Sequence, residues 1–278
     1  MSTIYDKLND KQKQAVFTTE GPVLVIAGAG SGKTKVLTTR IAYLIENKKV
    51  NSENILAITF TNKAAKEMKD RVSNILKRDV RRMHISTFHS FGVEILREYG
   101  YLVNIDKNFT ILDSDDSLKV IKIIIDDMNL NKTLSPKHVK EVISSYKNKL
   151  VLPEEAEKNT YTFEEKQIVD IYEKYNKKLY NSNSVDFDDL LLIPYLILDK
   201  YNAVLEEFQE KYKYILIDEY QDTNDAQYFL VKMLSAKYKN LFVVGDSDQS
   251  IYSFRGANYK NILNFTKDFP NAKVIKLE

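Results

Sequence analysis

Ala27-Gly28-Ala29-Gly30-Ser31-Gly32-Lys33-Thr34 sets three glycines, a lysine and a hydroxyl between an apolar run and a helical pattern. Glycines let backbone N–H groups curl around phosphate oxygens, and the helix that follows turns its positive end toward them. The spacing is that of a P-loop with alanine at its first position. Residues 27–34 are therefore expected to cradle a nucleoside triphosphate. Lys33 would reach the β- and γ-phosphates, and the Thr34 hydroxyl would ligate Mg2+. A glycine-rich turn alone would not need the lysine and threonine at these two places.

A second chemical signal lies far downstream. The apolar run Tyr214-Ile215-Leu216-Ile217 ends in Asp218 and Glu219. A P-loop site needs an aspartate at such a strand end to hold magnesium. A second carboxylate beside it can position and deprotonate an attacking water. Asp218 is thus the expected metal residue and Glu219 the expected base. Passing phosphate to a small molecule would not require that adjacent glutamate, so the pair favours ATP hydrolysis.

These groups need a scaffold. Short β-type runs, most of them nearly all apolar, occur at Val23–Ala27, Ile55–Phe60, His84–Ser86, Tyr214–Ile217, Leu241–Val244 and Lys273–Leu277. Such runs suit parallel strands buried on both faces. Helical patterns alternate with them, as at Ala64, Ala65, Met68, Val72, Ile75 and Leu76, which predicts an α/β parallel sheet flanked by helices. From Ile111 to Val185 the strand signal gives way to helix. Ser135-Pro136 predicts a helix start with Val139, Val142, Ile143 and Tyr146 on one face. Thr162-Phe163-Glu164-Glu165 reads as a capping box opening a helix through Leu179. Residues 111–185 are expected to form an inserted all-α subdomain, with Asn181–Ser184 as its exit linker. The α/β domain then comprises residues 1–110 and 186–278. Pro194 is expected to end or kink a Leu-rich helix.

Composition bounds the rest. The chain has 278 residues, 29% of them charged, and a net charge of +2, so bulk charge argues neither for nor against a nucleic-acid partner. It has no cysteine, which excludes disulfides and thiolate metal sites. His84, His89 and His138 lack zinc-ligand spacing. The polar N-terminus is not a signal peptide, and the longest apolar run, Leu190 to Leu198, is far short of the ~20 residues a membrane span needs. A cytoplasmic protein without a membrane partner is expected.

The motifs, taken in order, resemble one family. LNDKQKQAV (8–16), AGAGSGKT (27–34), ITFTNKAAKEM (58–68), ISTFHSFG (85–92), VDFDDL (185–190), IDEYQDTN (217–224) and VVGDSDQSIYSFRGA (243–257) are similar to those of UvrD/Rep/PcrA-type superfamily 1 DNA helicases. The resemblance runs from the first residue to the last. It implies a RecA-like first motor domain (1A) with an inserted helical subdomain (1B). It also implies ATP-driven 3′ to 5′ movement on single-stranded DNA and action at single/double-strand junctions. A second motor domain, absent from this chain, would supply arginines to the γ-phosphate, so the chain alone should be almost inactive. Nucleoid association and other repair or replication proteins as partners fit the same resemblance. A helicase–nuclease half such as that of AddA or RecB resembles the chain less closely. A non-motor ATP-binding module would not need Lys33, Asp218, Glu219 and Gln249 together.

Residue by residue, Gln12 resembles the glutamine that reads the adenine edge, and Gln249 the sensor of the γ-phosphate. Lys35 stands where the family usually has an arginine beside the nucleotide, and lysine cannot reproduce that planar fork. Phe60, Thr61, Asn62, His89, Tyr252, Phe254 and Arg255 are the resembling DNA contacts. The aromatics would stack on bases of any sequence and Arg255 would hold phosphate. Phe254 stands where the family usually has tryptophan. Phe88 and Phe91 are expected in the core, and Asp186, Asp188 and Asp189 as an acidic helix N-terminus.

Overall fold

The computed structural model describes residues 3–80, 82–246 and 260–277. The chain begins with α1 (Asp10–Phe17), β1 (Val23–Ala27) and α2 (Lys33–Glu46), then β2 (Ile55–Thr59), α3 (Asn62–Leu76), β3 (His84–Thr87) and α4 (Phe88–Tyr99). After β4 (Thr110–Ile111) come α5 (Ser114–Asp127), α6 (Pro136–Asn148), α7 (Pro153–Lys158) and α8 (Phe163–Asn181). β5 (Ser184–Val185), α9 (Asp189–Lys200) and α10 (Asn202–Lys211) follow. The last elements are β6 (Tyr214–Ile217), α11 (Asp225–Ser235), β7 (Leu241–Gly245), α12 (Lys260–Asp268) and β8 (Lys273–Leu277).

Two compact units result, Met1–Phe88 with Tyr201–Glu278, and His89–Lys200. The first is α/β. Its six parallel strands lie in the order β3-β2-β6-β7-β1-β8. They are the six expected from the apolar runs; β3 and β7 each extend one residue further and β2 stops one sooner. Every residue of β2 and β7 is buried, as sheet interiors covered on both faces require. β6, β7 and β1 are neighbours, with Ile217 opposite Val243 and Ile26 opposite Gly245. The residues that follow these three strands therefore emerge side by side at one edge of the sheet, where open α/β sheets bind ligands.

One buried cation fastens this unit together. Arg40, on α2, donates to the carbonyls of Ala15 (2.8 Å), Thr18 and Thr19 (3.3 Å), and its guanidinium lies 4.2 Å from the centre of the Phe242 ring. It satisfies the carbonyls at and just beyond the end of α1 and ties that helix to α2 and β7.

The second unit is wider than the 111–185 insert. Loss of the strand signal marked the end of the large sheet, whereas residues 89–110 and 186–200 also belong to this unit. It is helical apart from a parallel pair of two-residue strands, β4 and β5, the latter starting at Ser184 in the expected linker. Ile121, Ile124 and Ile125 of α5, Val139 and Ile143 of α6, and Ile168, Ile171 and Tyr172 of α8 form its core. Thr162 and Glu165 close the expected capping box at the start of α8. Ser135 precedes α6 with Pro136 in its first turn, but its side chain makes no capping hydrogen bond. Pro194 neither ends α9 nor marks its boundary, because the helix runs through it. Proline has no N–H to give the Leu190 carbonyl four residues earlier. That carbonyl instead lies against Gly92, where an added Cβ would stand 1.8 Å from its oxygen.

The acidic DFDD segment is a helix start, as expected, and something more. Asp186 and Asp189 cap each other's backbone N–H groups at 3.1 and 2.9 Å. Their carboxylates also grip the fully buried Lys147 of α6 at 2.7 and 2.8 Å, and the Tyr175 hydroxyl donates to Asp186 at 2.9 Å. Removing one partner of such a knot strands buried charge, which costs about 3–5 kcal/mol. Lys147→Met should lower the unfolding free energy by about that amount in urea titration. Adding Asp186→Asn and Asp189→Asn to it should restore most of the loss.

Candidate active site

β1 delivers the glycine-rich turn. Gly30 and Gly32 take left-handed backbone (φ 78° and 86°), open to glycine without strain. A Cβ at 32 would also lie 2.8 Å from Gln12 Nε2 and push that amide aside. The Ser31 hydroxyl donates to the Gly28 carbonyl at 2.7 Å and closes the loop on itself. α2 then starts at Lys33 with no side chain capping it. Its first-turn N–H groups and positive dipole end suit an anion.

β6 delivers the acids. The Asp218 N–H donates to the Ile58 carbonyl of β2 at 3.0 Å, and the Glu219 N–H donates to Asp218 Oδ1 at 2.9 Å. Glu219 itself sits in left-handed backbone (φ 49°, ψ 46°), a conformation that costs a non-glycine residue of order 1–3 kcal/mol and collects at functional sites. Lys33 Nζ lies 3.5 Å from Glu219 Oε2 and 3.5 Å from Asp246 Oδ2. The expected lysine and base are thus brought together, with the buried Asp246 that follows β7 as a third member. The sequence reading passed over Asp246. The signal was present, for Leu241-Phe242-Val243-Val244-Gly245-Asp246 repeats the pattern of an apolar strand ending in a carboxylate.

Asp218 is buried, and burial together with the Glu219 charge pushes its carboxyl up to about 6. Such a group gains from a cation. Among the described residues no cluster of three acidic, histidine or cysteine side chains could hold a metal by itself. Magnesium does not need one, since it takes one or two protein oxygens and completes its shell with phosphate and water. Asp218, with Thr34 in the first turn of α2, fits that donor set.

Gln12 is the third residue of α1, where it completes a capping box with Asn9. Its Oε1 accepts from the Asn9 N–H at 3.1 Å and its Nε2 donates to the Ser31 carbonyl at 3.0 Å. The amide is therefore moored to the phosphate loop, with a second lone pair and a second hydrogen still able to bond. Lys35 is exposed and donates to the Lys7 carbonyl at 2.7 Å.

The expected DNA contacts fall into three groups. Phe60 is half-buried, edge-on to Phe88 with ring centres 5.6 Å apart, and Phe88 and Phe91 are buried as expected. Thr61 caps α3 by accepting from the Ala64 N–H at 3.1 Å, with Asn62 exposed beside it. In the second unit His89 stacks on Phe187, ring centres 3.8 Å apart and planes within 18°. Phe187 is 51% exposed, a flat apolar face open to solvent that the sequence reading missed while attending to the aspartates around it. Gln249, Tyr252, Phe254 and Arg255 lie outside the described residues.

The chain resembles known proteins along nearly its whole length. The family model described as the UvrD/REP helicase N-terminal domain matches residues 8–270. An ATP-dependent DNA helicase PcrA of Bacillus subtilis (strain 168) is 53% identical over 272 residues, which are 98% of this chain and 37% of that protein. A protein of the same description from Staphylococcus epidermidis is 48% identical over 279 residues, covering 100% of this chain and 38% of its own length. One from Staphylococcus aureus (strain Mu50 / ATCC 700699) is 47% identical over the same share. The chain thus spans just over a third of the length of these curated relatives.

Asp218 makes a pH-dependent prediction. Its folded pKa of about 6 lies above the ordinary 3.8, so its contribution to stability is present at low pH and is lost as pH rises through about 6. Magnesium needs the ionised form. ATP–Mg affinity, titrated by calorimetry, should therefore weaken as pH falls through about 6. Asp218→Asn should abolish that dependence and bind more weakly throughout. Without nucleotide it should melt higher than wild type above that pH.

Proposed function

Because this chain belongs to the UvrD/REP helicase family, we propose that it is the nucleotide-binding and hydrolysing part of an ATP-dependent DNA motor. The observation that carries the proposal is the meeting of Lys33, Glu219 and Asp246 beside the phosphate loop, at the ends of three adjacent strands. The P-loop amides and Lys33 hold the triphosphate, and Gln12 meets the adenine. Mg2+ held by Thr34 and Asp218 would neutralise charge on the phosphate oxygens. Glu219 takes a proton from the attacking water as its oxygen bonds to the γ-phosphorus. The bond to the β–γ bridging oxygen breaks, and ADP leaves with the electron pair.

Without nucleotide, Lys33 rests on the carboxylates it must leave. An arriving γ-phosphate draws the ammonium away and uncovers the base. The motor advances 3′ to 5′ on single-stranded DNA. Phe60, Phe187 and His89 offer sequence-blind stacking faces, and Thr61 and Asn62 bind the backbone. Tyr252, Phe254 and Arg255 extend that contact, and Gln249 reports the γ-phosphate to them. A second motor domain with γ-phosphate arginines completes the engine, so this chain alone hydrolyses ATP slowly. Its subdomain roles follow as 1A for the sheet unit and 1B for the helical one.

The deciding substitution is Glu219→Gln. Affinity for ATP–Mg should change little, while single-turnover hydrolysis should fall by about 10²–10⁴, the usual worth of a general base. Unchanged hydrolysis would remove Glu219 from that role.

A further inference from the structure

Gln221 is buried to 1% exposure two residues beyond the base, with both ends of its amide engaged. Nε2 donates to Glu219 Oε2 at 2.6 Å, and Oε1 accepts from the Asp246 N–H at 2.9 Å. Together with the two Lys33 contacts, these bonds close a ring: Lys33 to Glu219, Glu219 to Gln221, Gln221 to Asp246, and Asp246 back to Lys33. The ring joins the phosphate loop to the ends of β6 and β7. Space is kept for it, because a Cβ on Gly245 would stand 3.2 Å from Gln221 Oε1.

We propose that Gln221 is a positioning residue for hydrolysis, the amide that fixes the base carboxylate and ties its orientation to the end of β7. The inference rests on Glu219 being the base. Its side chain is 35% exposed, so packing alone would not hold the carboxylate in one direction. The amide hydrogen does so from the side. With Oε2 held, Oε1 is the oxygen that accepts the proton of water.

The two Lys33 links and the two Gln221 links differ in what nucleotide does to them. Phosphate competes for Lys33, an ammonium. It has no call on an amide already paired at both ends. When Lys33 leaves, the Gln221 bridge remains as the connection between Glu219 and Asp246, and the base stays aimed while its charge is freed.

Two substitutions separate the links. Gln221→Glu keeps an acceptor for the Asp246 N–H but replaces the donor to Glu219 with a second carboxylate, which repels it. Gln221→Leu removes both bonds. Hydrolysis is followed in single turnover with protein in excess over radiolabelled ATP–Mg, and affinity by titration with a fluorescent ATP analogue. For Gln221→Glu the rate at saturating ATP should fall about tenfold. For Gln221→Leu the rate should fall about tenfold at saturating ATP. Affinity should stay within about twofold in both, a split that general loosening of the fold would not produce.

Gly245→Ala, whose methyl would press on Gln221 Oε1 at 3.2 Å as well as on Ile262 at 3.0 Å, should lower the rate in the same way with affinity kept, and stands in if leucine prevents folding. Wild-type rates in these variants, beside a Glu219→Gln that has lost hydrolysis, would overturn the positioning role and leave the base in place. A Glu219→Gln at wild-type rate would sink both. A loss of affinity large enough to explain the fall in rate would also overturn the proposal.

Discussion

One ammonium facing several carboxylates at the ends of adjacent strands is the interaction on which this site depends. Glu219 and Asp246 both lie 3.5 Å from Lys33, and Asp218 is buried beside Glu219 with its carboxyl pushed up to about 6. Negative charge there exceeds what one lysine balances, and burial makes the excess costly. Such a site is built for a ligand that brings a cation with it. On the proposed reading, ATP–Mg would return on binding the stability given up at the sheet edge, which is the logic of linkage.

The rest of the first unit holds that imbalance in place. Strands buried on both faces cannot shift sideways without exposing apolar surface, so the ends of β6, β7 and β1 stay level. The Asp218 N–H is fixed by β2, and Arg40 locks α1 to α2 and β7, which sets Gln12 against the phosphate loop. Close approaches at Gly32 and Gly245 admit Gln12 and Gln221, the two amides that touch the site from either side. The helical unit is organised separately, around its own apolar cluster and the buried Lys147.

The sheet was legible because its signal is local. An unbroken run such as Ile55-Leu56-Ala57-Ile58 announces a doubly covered strand from four residues, and the P-loop and Asp218-Glu219 sit at the ends of such runs. Legibility failed where a residue's meaning depends on a partner far along the chain. Arg40 and Lys147 take their roles from Ala15 and Thr19, and from Asp186 and Asp189, partners that no local spacing reveals. Gln221 looked like one more polar residue of IDEYQDTN, since its second partner, Asp246, is set by strand order rather than by spacing. Pro194 does not end α9, and the Leu190 carbonyl four residues before it packs closely against Gly92, a neighbour that no local rule about proline takes into account.

The most direct measurement is thermal melting of the chain with and without ATP–Mg, for wild type and Lys33→Ala. At about a hundred times its Kd, a ligand that binds only the folded chain adds about 2.7 kcal/mol of stability. Wild type should show that gain as a higher Tm. Lys33→Ala should show almost none, and should melt lower than wild type without nucleotide because its carboxylates lose their counter-charge. An equal ATP–Mg-dependent rise in both proteins would contradict the assignment of Lys33 and, with it, the site built around it.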